Sequence, residues 1–283
     1  MIKSLCTIAT RSNLEELLLM IYSFRLFHDE KSCSIYVLCD HETTDAIFGS
    51  ENVLGLLNCT NMMGVYFNSS LPTYDPSDDN GWVNLMLTKT NVMDFALHDH
   101  RETLFVDSDL IFLAPITDLS FDACEVILSP HRILKTEEAK HGTYNGGFVA
   151  TNRADFPQWW RDATAKNPKF FEQYCLNDAS EDYEVKVAPP WHNFGWFRVS
   201  PWHQENYTRK LNMLGIDDDE HLCYDGVKIS SVHTHLTQKE ARFQVLNRLL
   251  ISLFEQTSNS KYKAIGNYAK SLGLIPSVPV GTS

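Results

Sequence analysis

Hydrophobic positions along this chain follow two different spacings. Nearly continuous apolar runs, typical of buried strands, lie at residues 4–10, 34–40, 64–68 and 104–113. Apolar residues three and four positions apart, which predict amphipathic helices, lie at residues 12–27 and 82–98. Strand, helix, strand is a βαβ unit, so the pattern predicts an α/β fold with a Rossmann-like, mostly parallel central sheet flanked by helices.

The second half continues the same alternation. Further strands are predicted at residues 125–130, 144–152, 184–188 and 227–232, and short helices at 156–165 and 170–176. Ser12 and Glu15 have the spacing of a capping box and predict the start of the first helix. A strong apolar stripe after residue 238 predicts C-terminal helices, so we expect a main domain over 1–238, a packed helical segment over 239–275 and a loose tail over 276–283.

Two acids divide the apolar run in the middle of the chain. Asp107 and Asp109 are two residues apart in Leu-Phe-Val-Asp-Ser-Asp-Leu-Ile-Phe-Leu, so the strand period sends both carboxylates to one side. Adjacent carboxylates repel each other, and a divalent cation with oxygen ligands neutralises them. The alternative is a turn in which the acids cap backbone groups. Asp-x-Asp also occurs at residues 217–219, where the pattern predicts no apolar strand before it, so the motif alone is weak.

Two later stretches are candidates for ligand contact. Gly146 and Gly147 stand at the start of a predicted strand, where adjacent glycines indicate close approach of a ligand or another chain segment, or a bulge. Residues 189–197 form an aromatic-rich loop, which is either structural or a platform for a sugar ring.

Composition and charge exclude several classes of protein. A chain of 283 residues that is 43% hydrophobic can bury a large core within one elaborated domain. The net charge of −12 argues against nucleic acid or an anionic membrane as partner. No apolar run reaches about 18 residues, so no transmembrane segment is expected. The 7 cysteines are scattered without a Cys-x-x-Cys pair, which favours reduced thiols and a cytoplasmic location.

Several of these segments together resemble one enzyme family. The chain is similar to the retaining nucleotide-sugar glycosyltransferases of the glycogenin and lipopolysaccharide galactosyltransferase type (family 8-like), which have the glycosyltransferase-A fold. The resemblance covers most of the first 240 residues and implies that residues 1–238 form a nucleotide-sugar-binding catalytic domain. It assigns to the donor UDP-sugar the residues Ala9, Thr10, Lys89, Asp107, Ser108, Gly146, Gly147 and Lys239.

The same resemblance implies a metal site and an acceptor side. The family's His-x-x-Gly-x-x-Lys motif matches His233 and Lys239, with Leu236 in place of the glycine. Asp107, Asp109 and His233 are then the implied metal ligands, with His235 as a rival of His233 on the same strand face. Asn145 lies in the strand beside the donor sugar. The family's Asp-Gln motif is matched only by Asp178, which is followed by Ala179.

The resemblance therefore implies a metal-dependent transfer of a hexose from UDP to an acceptor hydroxyl with retention. Imidazole beside carboxylates favours Mn²⁺ over Mg²⁺ as the ion. The acceptor, whether glycan, lipid-linked sugar or protein, stays open. One alternative is a haloacid-dehalogenase-like phosphohydrolase, although Ile111 stands where that motif has Thr or Val. Another is a nucleotide-sugar-binding module without turnover.

Overall fold

The computed structural model describes residues 2–51, 55–56, 62–71, 81–167, 169–200 and 205–276. The strands are β1 Ser4–Ala9, β2 Ser34–Cys39, β3 Val65–Asn68, β4 Thr103–Val106, β5 Leu110–Phe112, β6 Val126–Pro130, β7 Tyr144–Thr151, β8 Val185–Val187, β9 Phe194–Gly195, β10 Leu214–Ile216, β11 Leu222–Tyr224, β12 Val227–Lys228 and β13 Ser231–His233. The α-helices are α1 Leu14–Arg25, α2 His41–Phe48, α3 Gly81–Asp99, α4 Lys135–His141, α5 Phe156–Lys166, α6 Tyr207–Asn212, α7 Ala241–Gln256 and α8 Ser260–Ser271. The predicted tail lies almost wholly outside the described residues.

The main sheet has the strand order β3-β2-β1-β4-β7-β6-β8. Strands β3, β2, β1 and β4 are parallel, whereas β7 is antiparallel to both β4 and β6. The predicted α/β class with a mostly parallel central sheet is thus confirmed. Parallel strands point their carboxyl ends to one edge, where ligands bind in such sheets.

Alternating side chains of the central strands enter two separate cores. Leu104 and Val106 of β4 pack with α1 and the C-terminal helices α7 and α8, whereas Phe105 packs on the opposite face with α3 and α5. Every one of these β4 side chains is buried, as expected for a strand covered on both faces. The C-terminal segment over residues 239–275 thus shares the core of the main domain.

A second, three-stranded sheet connects the middle of the chain to its end. Strand β13 pairs with β5 in antiparallel register and with β9 in parallel register, and His233 lies opposite Leu110. The predicted strand at residues 227–232 is therefore two strands, of which β13 alone joins β5. This pairing brings the residues after β13 to the turn between β4 and β5. That turn, residues 107–109, contains Asp107 and Asp109 and is called the acidic turn below.

Two local predictions need correction. Residues 170–176 are not an α-helix: Phe170 and Phe171 have φ of 39° and 57°, which an α-helix does not accommodate, and a 3₁₀-helix follows at Tyr174–Glu181. The first helix begins at Leu14 after a 3₁₀ turn, and its entry is held by the Thr10 N–H donating to Asn13 Oδ1 at 2.7 Å. Glu15 instead pairs with Arg11 at 3.5 Å.

Candidate active site

The acidic turn is anchored where β4 ends and β5 begins. The Asp107 N–H donates to the carbonyl of Gly147 on the neighbouring strand β7 at 3.0 Å. Thr234 donates to the carbonyl of Asp109 through both its N–H, at 3.1 Å, and its hydroxyl, at 2.9 Å. Because Thr234 is held in this way, the imidazoles before and after it, His233 and His235, converge on the acidic turn.

One carboxylate contacts both imidazoles. Asp109 Oδ1 lies 3.2 Å from His233 Nε2, and Asp109 Oδ2 lies 2.7 Å from His235 Nδ1. Asp107 Oδ2 is 3.8 Å from His233 Nε2. In the part of the chain that the structure describes, Asp109, His233 and His235 are the group whose ligand atoms, all within 4.8 Å of one another, could hold a metal ion. The structure thus brings both predicted histidines to the second acid of the motif.

The charged groups of the cluster shift one another's pKa values. Burial opposes charge on Asp109, but the adjacent imidazoles of His233 and His235 outweigh it and lower the pKa of the carboxyl. Burial also disfavours the charged form of His233, yet the carboxylates of Asp109 and Asp107 raise its pKa above the ordinary value. Without a metal, these shifts favour an ionised Asp109 carboxylate beside a protonated His233 imidazole.

These donors suit a transition-metal ion. Ligands about 2.1 Å from an ion in adjacent octahedral positions lie roughly 3 Å apart, which matches the 3.2 Å between Asp109 Oδ1 and His233 Nε2. Asp109 Oδ1 is buried without a well-directed hydrogen bond among the described residues, as a ligand atom awaiting a cation would be. Two imidazoles with carboxylate favour Mn²⁺ or another transition ion over an all-oxygen Mg²⁺ site.

Lys89 is committed to other protein groups. Its ammonium lies 3.1 Å from Asp107 Oδ1 and 2.7 Å from Glu172 Oε1, and it donates to the Gly146 carbonyl at 3.4 Å. Burial disfavours the charge, but the carboxylates of Asp107 and Glu172 outweigh it and raise the lysine pKa. This lysine therefore links helix α3 to the acidic turn and to the segment before the 3₁₀-helix.

Asn145 stands at the centre of a buried amide network. Its Oδ1 accepts from Gly147 N–H at 3.0 Å and from Asn193 Nδ2 at 3.0 Å. Its Nδ2 lies 3.2 Å from His131 Nε2, and His131 Nδ1 lies 2.9 Å from the Gly142 carbonyl. Because a carbonyl only accepts, His131 carries its proton on Nδ1 and accepts from Asn145 on Nε2. Burial lowers the His131 pKa to about 3, which keeps this ring neutral.

Two cavities meet at the acidic turn. The first cavity, of about 370 Å³, is lined by the site residues Lys89, Asp107, Asn145, Gly147, His233 and His235 together with Trp82, Phe170, Phe171, Trp196 and Phe197. The second cavity, of about 340 Å³, is lined by Ala9, Thr10, Asn13, Glu16, Ser108 and Asp109, among others. Asp107 and His235 line both cavities. A ligand with two dissimilar ends can thus lie across the cluster with one end in each cavity.

The glycine pair makes room for carboxylates. A Cβ on Gly147 would lie 2.2 Å from Asp107 Oδ2, and one on Gly146 would lie 2.7 Å from Glu172 Oε1. The close approach that the sequence indicates is therefore made by side chains of the site itself. Ser108 is buried and accepts from Asn13 Nδ2 at 2.6 Å, which joins the turn to the 3₁₀ segment that leads into α1.

Two residues inferred from the resemblance are exposed, and their roles stay predictions. Asp178 is exposed on the 3₁₀-helix Tyr174–Glu181, and among the described residues it lines neither cavity. Lys239 is exposed and likewise absent from the described lining of both. The first cavity instead contains Glu172, Gln173 and Arg242, none of which was predicted. Glu172 and Gln173 are an acid followed by an amide, as in the Asp-Gln motif of the family that the sequence resembles. This pattern is the sequence signal that could have identified them.

Comparison with known proteins supports the fold and not the sequence family. No family model matches the chain, and no curated protein matches it in sequence. A structure of the galactosyltransferase LgtC with donor and acceptor sugar analogues superimposes with a TM-score of 0.55 at 12% identity, covering 98% of both chains. The chain has a glycosyltransferase-A fold.

Other similar structures belong to glycosyltransferases as well. GlyE of Streptococcus pneumoniae has a TM-score of 0.54 at 13% identity, with 97% of this chain covered, and this chain spans 64% of the GlyE chain. Mouse xyloside xylosyltransferase 1 has a TM-score of 0.52 at 10% identity, with 85% of this chain and 100% of that chain covered. Within the described residues, no helix is both long and apolar enough to cross a bilayer.

Proposed function

We propose that this protein is a metal-dependent glycosyltransferase that moves a hexose from a UDP-sugar to an acceptor hydroxyl with retention. The observation that carries the proposal is the cluster of Asp109, His233 and His235 at the junction of two cavities. A nucleotide diphosphate sugar has its nucleoside and its sugar on opposite sides of a pyrophosphate, so this arrangement fits its three parts. The glycosyltransferase-A fold agrees with that interpretation.

Each cavity offers chemistry suited to one end of the donor. The second cavity, beside Ala9 and Thr10 at the end of β1, takes the nucleoside, where Ser108 and the hydroxyl of Thr10 contribute polar contacts. The first cavity takes the sugar and the acceptor. Asn145 is oriented there by its bonds to Gly147 and Asn193, so its amide is preorganised before any ligand arrives.

Asp109, His233 and His235, with Asp107 beside them, would hold a Mn²⁺ ion. When bound, such an ion stabilises the negative charge that grows on the departing diphosphate. The chain has a net charge of −12, so an anionic donor needs cationic contacts at the site itself. Asp107 is kept in place by Lys89, and the Asp109 carboxyl, whose pKa is lowered, stays ionised and ready to bind a cation.

Glu172 replaces Asp178 as the candidate acid on the acceptor side. Its carboxylate borders the first cavity and is held by Lys89 at 2.7 Å, and Gln173 Oε1 accepts from the Gly146 N–H at 3.2 Å. The aromatic side chains Trp82 and Trp196 line the same cavity and offer faces for the apolar side of a sugar ring. These groups support a carbohydrate end in the first cavity.

The decisive experiment is a screen of UDP-, GDP- and other nucleotide-sugars with Mn²⁺, Mg²⁺ or a chelator. We expect a UDP-sugar to raise the melting temperature when Mn²⁺ is present and to release UDP. Asp109→Asn should abolish both effects, whereas Asp218→Asn, in the exposed Asp-x-Asp segment, should alter neither. Undiminished turnover by Asp109→Asn would exclude the proposed metal role, and NMR of the first product tests retention.

A binding module without turnover remains the competing outcome of that screen. It predicts stabilisation by UDP with no product from any donor sugar.

We also propose a cytoplasmic location, because the six cysteines in the described ranges are all free and buried. Detection of the native protein in a reducing compartment by fractionation tests that assignment.

A further inference from the structure

The lysines of this site are poorly placed to bind a diphosphate. An ammonium has three protons, and those of Lys89 face Asp107 Oδ1, Glu172 Oε1 and the Gly146 carbonyl. Lys239 is exposed and, within the described part of the chain, lines neither cavity. A side-chain cation that assists the proposed metal ion at the phosphoryl groups would then come from another residue.

Arg242 is the candidate. Among the described residues that line the two cavities, it and Lys89 are the ones with an ammonium or guanidinium group. Arg242 lies in the first turn of α7 and borders the first cavity together with His233 and His235. Its fork of N–H donors matches the geometry of phosphate oxygens, which it can bind in bidentate fashion.

Aromatic rings position the guanidinium beside the metal cluster. Its central carbon lies 5.4 Å from the ring centroid of Trp196 and 4.7 Å from that of Phe243. The His235 ring is in turn 6.1 Å from Trp196 and 4.4 Å from Phe243. Arg242 and the imidazole that contacts Asp109 therefore share the same two aromatic neighbours.

The present counter-ion of Arg242 is exchangeable. Glu240 Oε2 lies 2.8 Å from Arg242 Nε, and the two side chains are 57% and 44% exposed. Ion pairs this exposed contribute little to stability, so a phosphate with more charge and more acceptor oxygens can displace the carboxylate.

We propose that Arg242, and not Lys239, binds the phosphoryl group next to the sugar in the nucleotide diphosphate donor. The inference rests on the proposed function and names a ligand contact within it. Because the proposed function places the sugar in the first cavity, a guanidinium there faces the second phosphate and not the first. Glu240 then acts as a competitor that binding must release.

Isothermal titration calorimetry with Mn²⁺ tests the proposal on three probes: UDP, UMP and inorganic pyrophosphate. Arg242→Met keeps an unbranched side chain beside the rings and removes the guanidinium donors. We expect it to weaken the binding of UDP and of pyrophosphate roughly tenfold to hundredfold, because a hydrogen bond to a charged group is lost. The affinity for UMP should be unaffected. Lys239→Met should leave all three affinities unchanged, and Glu240→Gln should strengthen UDP binding up to about fivefold.

The outcomes separate this inference from the proposed function. If Arg242→Met weakens the binding of UMP and UDP equally, the change is structural and the proposed phosphate contact is wrong. A loss of affinity seen only in Lys239→Met would also overturn the proposal. Wild-type protein that binds neither UDP nor pyrophosphate also overturns it. Tight, Arg242-dependent binding of pyrophosphate without turnover of any sugar donor would support the contact and refute the transferase activity.

Discussion

Replacing Lys89 with methionine should destabilise the protein far more than the same replacement in a surface ion pair of equal length. The ammonium is 3% exposed and lies 2.7 Å from the Glu172 carboxylate, itself 5% exposed, and 3.1 Å from Asp107. At an effective dielectric constant of about 20, these contacts correspond to gross attractions of roughly 6 and 5 kcal/mol. Desolvation offsets much of this, so the pair itself is a weak stabiliser.

Removing one partner is different, because the buried carboxylate of Glu172 is then left without a counter-charge. We expect Lys89→Met to lower the free energy of unfolding by about 3–5 kcal/mol. The matched control is Lys140→Met, since Lys140 and Glu137 also lie 2.7 Å apart but Lys140 is 64% exposed. That change should cost less than about 1 kcal/mol.

Urea unfolding of the metal-free variants, followed by circular dichroism, measures these differences without any assumption about activity. Adding Glu172→Gln to Lys89→Met removes the stranded charge and should recover at least about 1 kcal/mol. If both lysine variants lose the same small amount, or if the second substitution destabilises further, the argument from a buried unpaired carboxylate is wrong.

Two more predictions concern the cluster itself. Gly147→Ala places a Cβ 2.2 Å from Asp107 Oδ2, so we expect about 1–3 kcal/mol of destabilisation and weaker Mn²⁺ binding, which calorimetry measures. The control is Gly215→Ala, whose Cβ would have no atom within 4 Å and which should change neither quantity. Because His233 has a raised pKa beside Asp109, its stabilising charge is complete below its ordinary pKa of 6.5 and is lost as the pH rises through the folded value. Metal-free protein should therefore lose stability as the pH rises above about 6.5, while the stabilisation by Mn²⁺ grows as protons leave the imidazole. Denaturant titrations with and without the ion measure both, and a flat metal-free profile would contradict the assignment.

Local signals predicted the secondary structure wherever neighbouring residues decide it. The nearly continuous apolar run at residues 104–113 predicted a buried strand, and the structure has β4 there with every side chain buried. Errors arose where backbone conformation depends on distant contacts. Residues 170–176 have a helical pattern, yet Phe170 and Phe171 have positive φ angles and line the first cavity.

The amino-acid sequence alone determined the α/β class and the position of Asp107 and Asp109 at the end of a buried strand, because strand period and strand ends follow from short-range pattern. The convergence of Asp109 with His233 and His235 was implied only by the family resemblance, and the long-range pairing of β13 with β5 produces it. Tertiary structure alone decided which charges are available to a ligand. Lys89 meets Glu172 across 83 residues of chain and Gly146 across 57, and each contact uses one of its protons. Arg242 reaches the cavity only because α7 packs beside Trp196. A side chain's free donors are known only when all its partners are in place, and those partners lie far apart in the sequence.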